Sequence, residues 1–444
     1  MTKPTYQLHL LTLTWPIFIE GMTGGLVTLT DIWFLSQISD EVAASVGMVG
    51  AILTLGYFVL PQFTAAGGSV AAQYLGAKKD EYATPTYVAT LLLGVIIGGL
   101  LALGIGLNAG SLGSWLGLSP AGNEYSRQYL GVIAFNFILV GLRSSYWAIL
   151  SANTLTKWNM ASAIVTDVLN IVLCYLFIHG GGPIPKLGIP GVALATLLAY
   201  LAGFGVYFYL VHFRLKVSFR LRKWVGKIGR VMGPILKIGL PSAMEPFSWT
   251  VQNFVVSVII IHLGVPAMSA NTYVLRLIFL DLTVSWALTS AGQIIISHQF
   301  GARNLDEVNK TYLRIVRYAT VFAFLNLLLY LAFSDAILSV FTQDTQIKQI
   351  GFWLLLLSLF IEPIRSINIL GGVALKTVGD GRFSVTMAMV FMWGLIPLLL
   401  LASFWGWGII GFWCCLLFDE AVRAALNLWR WMQGKWRQNT VIEG

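Results

Sequence analysis

The sequence predicts an all-α polytopic membrane protein, with twelve transmembrane helices in two pseudo-symmetric six-helix lobes. Three observations carry that prediction. First, 57% of the 444 residues are hydrophobic and only 11% are charged, against about 25% charged in a typical soluble domain. Lipid rather than a protein core is the solvent that suits so much apolar side chain. Second, the apolar runs are about 20 residues or longer and do not alternate in polarity, which excludes the roughly ten-residue alternating strands of a membrane barrel. Third, the second half of the chain repeats the first at an offset of 225 residues.

The spans, in order, fall near 8–34, 43–75, 84–109, 124–151, 158–179 and 188–212, then 233–262, 267–300, 308–333, 346–376, 383–404 and 408–431. Glycine and proline punctuate them, as in HGGGPIPKLGIPG after the fifth and HLGVP after the seventh. The abundant glycine suits close helix approach, and the tryptophans and tyrosines suit membrane interfaces. Basic residues gather on alternate connections. One side takes Lys78, Lys79 and Lys157, the cluster Arg214, Lys216, Arg220, Arg222, Lys223, Lys227 and Arg230, then Arg303, Lys310, Lys376, Arg382, Arg430, Lys435 and Arg437. The other side holds little beyond Arg127, Lys186 and Lys348. The positive-inside rule makes the first set cytoplasmic, with both termini, which an even number of spans requires. The net charge of +9 is thus a topology signal that also suits anionic headgroups, and nucleic acid is not an expected partner.

The repeat rests on features that composition does not supply. Pro16 aligns with Pro241 and Glu20 with Glu245, and TAAGGSVAAQYLGA (64–77) aligns with TSAGQIIISHQFGA (289–302). Six spans per copy bring both copies into the membrane from the same side, as in transporters with parallel repeats. The expected domains are an N-terminal lobe 1–212, a basic cytoplasmic linker 213–232 and a C-terminal lobe 233–444, with a cleft between the lobes.

Cys174, Cys414 and Cys415 form no CxxC pair, so neither a metal site nor a disulfide framework is expected. The first residues run into a full-length span without a small-residue cleavage site, so no cleavable signal peptide is expected. HExxH, GxSxG, Walker A and DDxxD patterns are absent. The expected protein is not an enzyme, and an ion gradient rather than a nucleotide supplies its energy.

Ionisable residues inside spans mark function by default, because a centred charge costs about 2.5–3.5 kcal/mol on insertion scales. Asp31 stands in GLVTLTDIWFL with no basic residue within a helical turn, and only Thr28 and Thr30 to bond it locally. Burial without a cation favours the neutral form of a carboxylate, which suits a proton carrier. Asp167 and Asn170 share one face of the fifth span, and Arg143 is a candidate partner for Asp167 or Glu20. In the second half, Glu362 with Arg365 and Asp419 with Arg423 have helical pair spacing. Arg276 and Asp281 are five apart, and Glu245 has no evident local partner.

Together, WPIFIEGMTGGLVTLTDIWFL, GGSVAAQYLGAKKDE, NMASAIVTDVLNIVLCYLFI and LGIPGVALAT resemble the multidrug and toxic compound extrusion (MATE) family, and within it the DinF-like branch. The similarity spans nearly the whole chain. It implies a cation-coupled antiporter that exports drugs or other hydrophobic, often cationic, compounds by alternating access. The family's first-span acid falls on Asp31 and its fifth-span Asn on Asn170. The Asp that bacterial and archaeal members often carry four residues later is Cys174 here, which makes the proton the expected coupling ion and sodium the alternative. On this basis Asp31, Asn170 and Asp167 are the expected proton-coupling residues, supported by Glu20, Thr28, Thr30, Cys174 and Thr196. Glu245, Asn253 and Asp281 are candidates for a C-lobe cleft. No metal site and no cofactor are expected; the partners are membrane lipids and small organic substrates, the protein a monomer of the bacterial inner membrane. A flippase for a lipid-linked precursor is the rival class.

Overall fold

The computed structural model describes residues 9–180, 185–217, 219 and 221–442, except the side chains of Leu26, Thr28, Leu221, Arg222, Lys223 and Val225. The described residues are helical nearly throughout. The first half contains α1 (Leu10–Ser36), α2 (Asp40–Gly76), α3 (Asp80–Leu107), the single turn α4 (Leu112–Trp115), α5 (Pro120–Ile133), α6 (Asn136–Ala152), α7 (Thr156–His179) and α8 (Gly188–Tyr209). The second contains α9 (Leu221–Ile261), α10 (Val265–Leu277), α11 (Phe279–Gly301), α12 (Leu305–Ala332), the short α13 (Ser334–Ser339), α14 (Thr345–Thr377), α15 (Gly381–Phe404) and α16 (Gly408–Met432). Ten of these helices are long and apolar enough to cross a membrane, and α5 with α6, bent by 42°, make an eleventh. The last expected span coincides with α16, whose 25 residues carry Asp419, Glu420 and Arg423 in the middle.

Local chemistry sets the helix starts. Ser39 accepts from the Val42 amide at 3.1 Å and Ser119 from Gly122 at 3.0 Å, while Asp344 accepts from Gln346 at 2.8 Å. Each satisfies a backbone donor that has no partner within its helix. Asp80 and Glu81 open α3, and Asp306 and Glu307 open α12, where a carboxylate favours the positive end of the helix.

The repeat extends to backbone detail. Helices end at Ser36 and Ile261, Gly76 and Gly301, Leu107 and Ala332, Ala152 and Thr377, and His179 and Phe404, each pair 225 residues apart. The left-handed residues that close helices match too: Lys78 (φ 59°) with Arg303 (φ 58°), and Thr154 (φ 61°) with Gly379 (φ 83°). The copies differ in where a span breaks. The second span is continuous as α2 but interrupted at Ile278 between α10 and α11; the fourth is bent between α5 and α6 but continuous as α14.

The chain forms two compact units, Met1–Ala243 and Met244–Gly444, so the division falls within α9. In the first unit, α2, α5, α6, α7 and α8 enclose Val46, Val49, Leu130, Phe137, Val192 and Ala195. In the second, α10, α14 and α16 enclose Val274, Leu354, Leu355, Phe412 and Trp413. Helices α3 and α6 approach closely because glycines face each other. A Cβ on Gly141 would stand 2.0 Å from the Gly94 carbonyl oxygen, and one on Gly98 would stand 2.4 Å from the Phe137 oxygen. These neighbours are backbone and cannot turn aside. Gly141→Ala is expected to cost about 1–3 kcal/mol, in line with overpacked cores, read as a lower unfolding temperature in detergent. Gly104→Ala, with nothing within 4 Å of its Cβ, is expected to leave that temperature nearly unchanged.

Candidate functional site

Asp31 lies about four-fifths of the way along α1, buried to 5% exposure. Three other helices supply its partners. From α8, Thr196 Oγ1 lies 2.9 Å from Oδ2 and 3.1 Å from Oδ1. From α7, Asn170 Nδ2 donates to Oδ1 at 3.2 Å, and Cys174 Sγ lies 3.7 Å from the same oxygen. From α5, Tyr129 Oη donates to Oδ2 at 3.1 Å. Asn170 also donates to Thr196 Oγ1 at 3.0 Å, tying α7 to α8. Among the described residues, no Lys, Arg or His pairs with Asp31.

This arrangement is a shell of donors around one anion. Four hydrogen-bonding groups occupy about the four lone-pair positions a carboxylate offers. Its chemical reserve lies in Asn170, whose Oδ1 is buried without a partner. Turning that amide would present an acceptor to Asp31 once the carboxyl carries a proton, and Thr196 is a second acceptor. The shell can therefore satisfy either protonation state. It is a poorer fit for sodium, because a thiol is a soft ligand where a hard cation takes oxygen.

The structure sorts the remaining expected residues. Asn170, Cys174 and Thr196 meet Asp31. Thr30, next to Asp31 on α1 and so turned about 100° away, makes no bond to it; the side chain of Thr28 lies outside the described residues. Asp167 does not join the Asp31 shell. It lies one turn earlier on α7, within reach of the Thr23 hydroxyl and near Arg143. Glu20 belongs to the same lower tier, accepting from Trp147 Nε1 at 3.1 Å. Arg143 stacks over Tyr200 at 4.4 Å, and no ion pair within 4 Å is formed by it among the described residues. Tyr129, which the sequence reading did not single out, completes the shell. Its signal is the buried face of α5, Ser126, Tyr129 and Ile133, at helical spacing.

In the second unit one expectation is corrected. Glu245 is not unpartnered: Lys376 pairs with it. Lys376, read as a loop charge, is 7% exposed on the last turn of α14, and its long stem reaches the acid. Asp281 and Arg276 do not meet. Arg276 is exposed, whereas Asp281 is buried and accepts from Asn326 Nδ2 at 2.8 Å. Asn253 is exposed and bonds only its own helix, at Trp249 O. The two helical pairs are linked by Glu420, another residue the sequence reading passed over. Arg365 bonds Glu362 at 2.6 Å and Glu420 at 3.1 Å, while Arg423 bonds Glu420 at 3.1 Å and also Asp419. Asn368 donates to Glu420 at 2.8 Å and accepts from Asn427 at 2.9 Å. These acids are mostly matched with bases, unlike Asp31.

Comparison with known proteins agrees with this architecture. The sequence pattern of the MatE family matches twice, at residues 16–176 and 241–400. The matches begin at the two aligned prolines, 225 residues apart. An uncharacterized transporter, YisQ of Bacillus subtilis, is 30% identical over 432 residues, covering 97% of this chain and 95% of that protein. A probable multidrug resistance protein, NorM of Thermotoga maritima, is 21% identical over 450 residues, covering 99% and 95%. A crystal structure of a MATE protein in the bent conformation superposes with a TM-score of 0.86 at 21% identity, covering 96% of this chain and 94% of that one. By both the doubled sequence pattern and the fold, this chain belongs to the MatE family.

Proposed function

We propose that the protein is a proton-coupled antiporter of the bacterial inner membrane, of the DinF-like branch. It exports drugs or other hydrophobic, often cationic, organic compounds by alternating access. Both termini are cytoplasmic, and lobes 1–212 and 233–444 are joined by the basic linker 213–232. Asp31 carries the coupling proton, Asn170 and Thr196 accommodate its two protonation states, and Asp167 assists from below. The observation that supports this most is the shell itself: a buried carboxylate, four donors, no base, and an amide oxygen in reserve.

Protonation removes the one net charge of the shell and weakens the bonds that tie α1 to α5, α7 and α8. Helix α1 carries Pro16 within it, and Gly24 and Gly25 have nothing within 4 Å of where a Cβ would stand. A helix so built bends at low cost. Proton and substrate need not share an atom; each need only favour the opposite conformation.

The test uses proteoliposomes and ethidium, with pH and sodium gradients imposed separately. Export driven by the pH gradient alone is the expected result. Export that needs sodium and ignores pH would replace the proton with sodium, and movement of a lipid-linked precursor in place of ethidium would favour the flippase. Cys174 supplies a second check. Cys174→Asp adds a hard oxygen ligand and a second negative charge beside Asp31, and is expected to add sodium dependence to the export.

A further inference from the structure

The tier below Asp31 has a charge count that the Asp31 mechanism does not use. Glu20 on α1 stands 11 residues before Asp31, about 16 Å along the helix. Asp167 on α7 is one turn before Asn170. Arg143 of α6 acts electrostatically on both acids, without an ion pair within 4 Å to either among the described residues. The other groups facing them are Thr23 of α1, Trp147 of α6, and Tyr200 and Tyr207 of α8; Arg143 lies over both tyrosine rings, at 4.4 and 5.9 Å. None of these brings a second positive charge. Asp167 is 7% exposed, and its Oδ2 is buried with no hydrogen-bond partner. Two carboxylates thus share one guanidinium, and one carboxylate oxygen is left open inside the first unit.

We propose that the Glu20–Asp167–Arg143 cluster is a second proton-binding site of this unit, holding one proton between its two acids. Arg143 supplies one positive charge against two carboxylates. A single negative charge remains in an apolar span, and a proton on the open oxygen removes it. The unit therefore carries two protons when fully loaded, one on Asp31 and one in this cluster. The inference deepens the proton-coupled reading and rests on it for its role in transport, but the site itself can be tested without transport.

Infrared difference spectroscopy of the purified full-length protein between high and low pH counts buried carboxyl groups by their carboxylic-acid C=O stretch. Relative to wild type, Asp167→Asn and Glu20→Gln are each expected to lose one carboxyl signal and no more. Either change leaves one acid matched by Arg143, with no proton to hold. Arg143→Met is expected to gain one signal, because both acids then take up a proton between high and low pH. A purely structural cluster would not give changes of opposite sign. Asp31→Asn is expected to remove a different single signal and leave the cluster's intact. If Asp167→Asn, Glu20→Gln and Arg143→Met all keep the wild-type spectrum, the second site is wrong and the Asp31 reading stands. If only Asp31→Asn keeps it, the Asp31 reading fails and the second site stands. Loss of the cluster's signal on adding sodium at constant pH would put a metal cation on the pair and overturn the proton assignment.

Discussion

Asp31→Asn is expected to abolish pH-driven export in proteoliposomes while the protein still folds. Asparagine keeps the shape of the side chain, one acceptor oxygen for Thr196 or Tyr129, and an amide that can donate to Asn170 Oδ1, which has no partner in the native shell. What it removes is the proton. The effect has a size. A proton entering through 100 mV gains about 2.3 kcal/mol, and each pH unit adds about 1.36 kcal/mol. With 100 mV and one pH unit, one proton sustains a ratio of roughly 500-fold for an uncharged substrate. For a monovalent cation the electrical terms cancel, and the pH unit alone sustains about tenfold. In Asp31→Asn the part of either ratio that this proton sustains is lost, and substrate binding becomes insensitive to pH through this site. Full wild-type accumulation in this variant would end the proton-coupled proposal. The same arithmetic reaches the second proton site: two protons exchanged for one monovalent cation move net charge, so export would generate a current that one proton would not.

The parts of this molecule legible in its sequence are those that repeat or are costly. Membrane spans announce themselves by length and hydropathy. The repeat is readable because prolines, glutamates and glycines coincide at one offset, and five pairs of helix ends keep that offset to the residue. Asn170 was legible as the partner of Asp31 only through resemblance; nothing in the local pattern reaches across 139 positions. Contacts made by unremarkable residues were not legible. Tyr129 comes from α5, where a tyrosine in a span more often lies at an interface. In the sequence Lys376 is a topology signal, because Lys near a span end usually snorkels to water; in the fold it turns inward to Glu245. Glu420 is not legible, because pairing by spacing accounts for Asp419 with Arg423 and for Glu362 with Arg365, yet it bonds both arginines and makes one network of them. Helical spacing finds pairs within a helix. It cannot see an acid that serves two helices.

That network underlies the second large effect, which is on stability rather than transport. Arg365→Met leaves Glu362, 2% exposed at its side chain, and Glu420, 7% exposed, without the guanidinium that bonds both. Glu420 keeps Arg423 and Asn368, but Glu362 loses its bond to the base altogether. Removing one partner of a buried pair costs about 3–5 kcal/mol, because the remaining charge is uncompensated, and that is a large share of a typical stability of 5–15 kcal/mol. Arg365→Met is therefore expected to lower the unfolding temperature sharply in detergent, or to prevent accumulation in the membrane. Adding Glu362→Gln to it removes the orphaned charge and is expected to restore most of the loss, since neutral replacement of a buried pair is often tolerated. An equally unstable double variant would mean that Arg365 acts through packing between α14 and α16 rather than charge. The contrast with Asp31 is the physical point. Asp31 has no base, so its neutral variant loses a proton and keeps the fold. The acids of α14 and α16 have bases, so removing a base loses the fold.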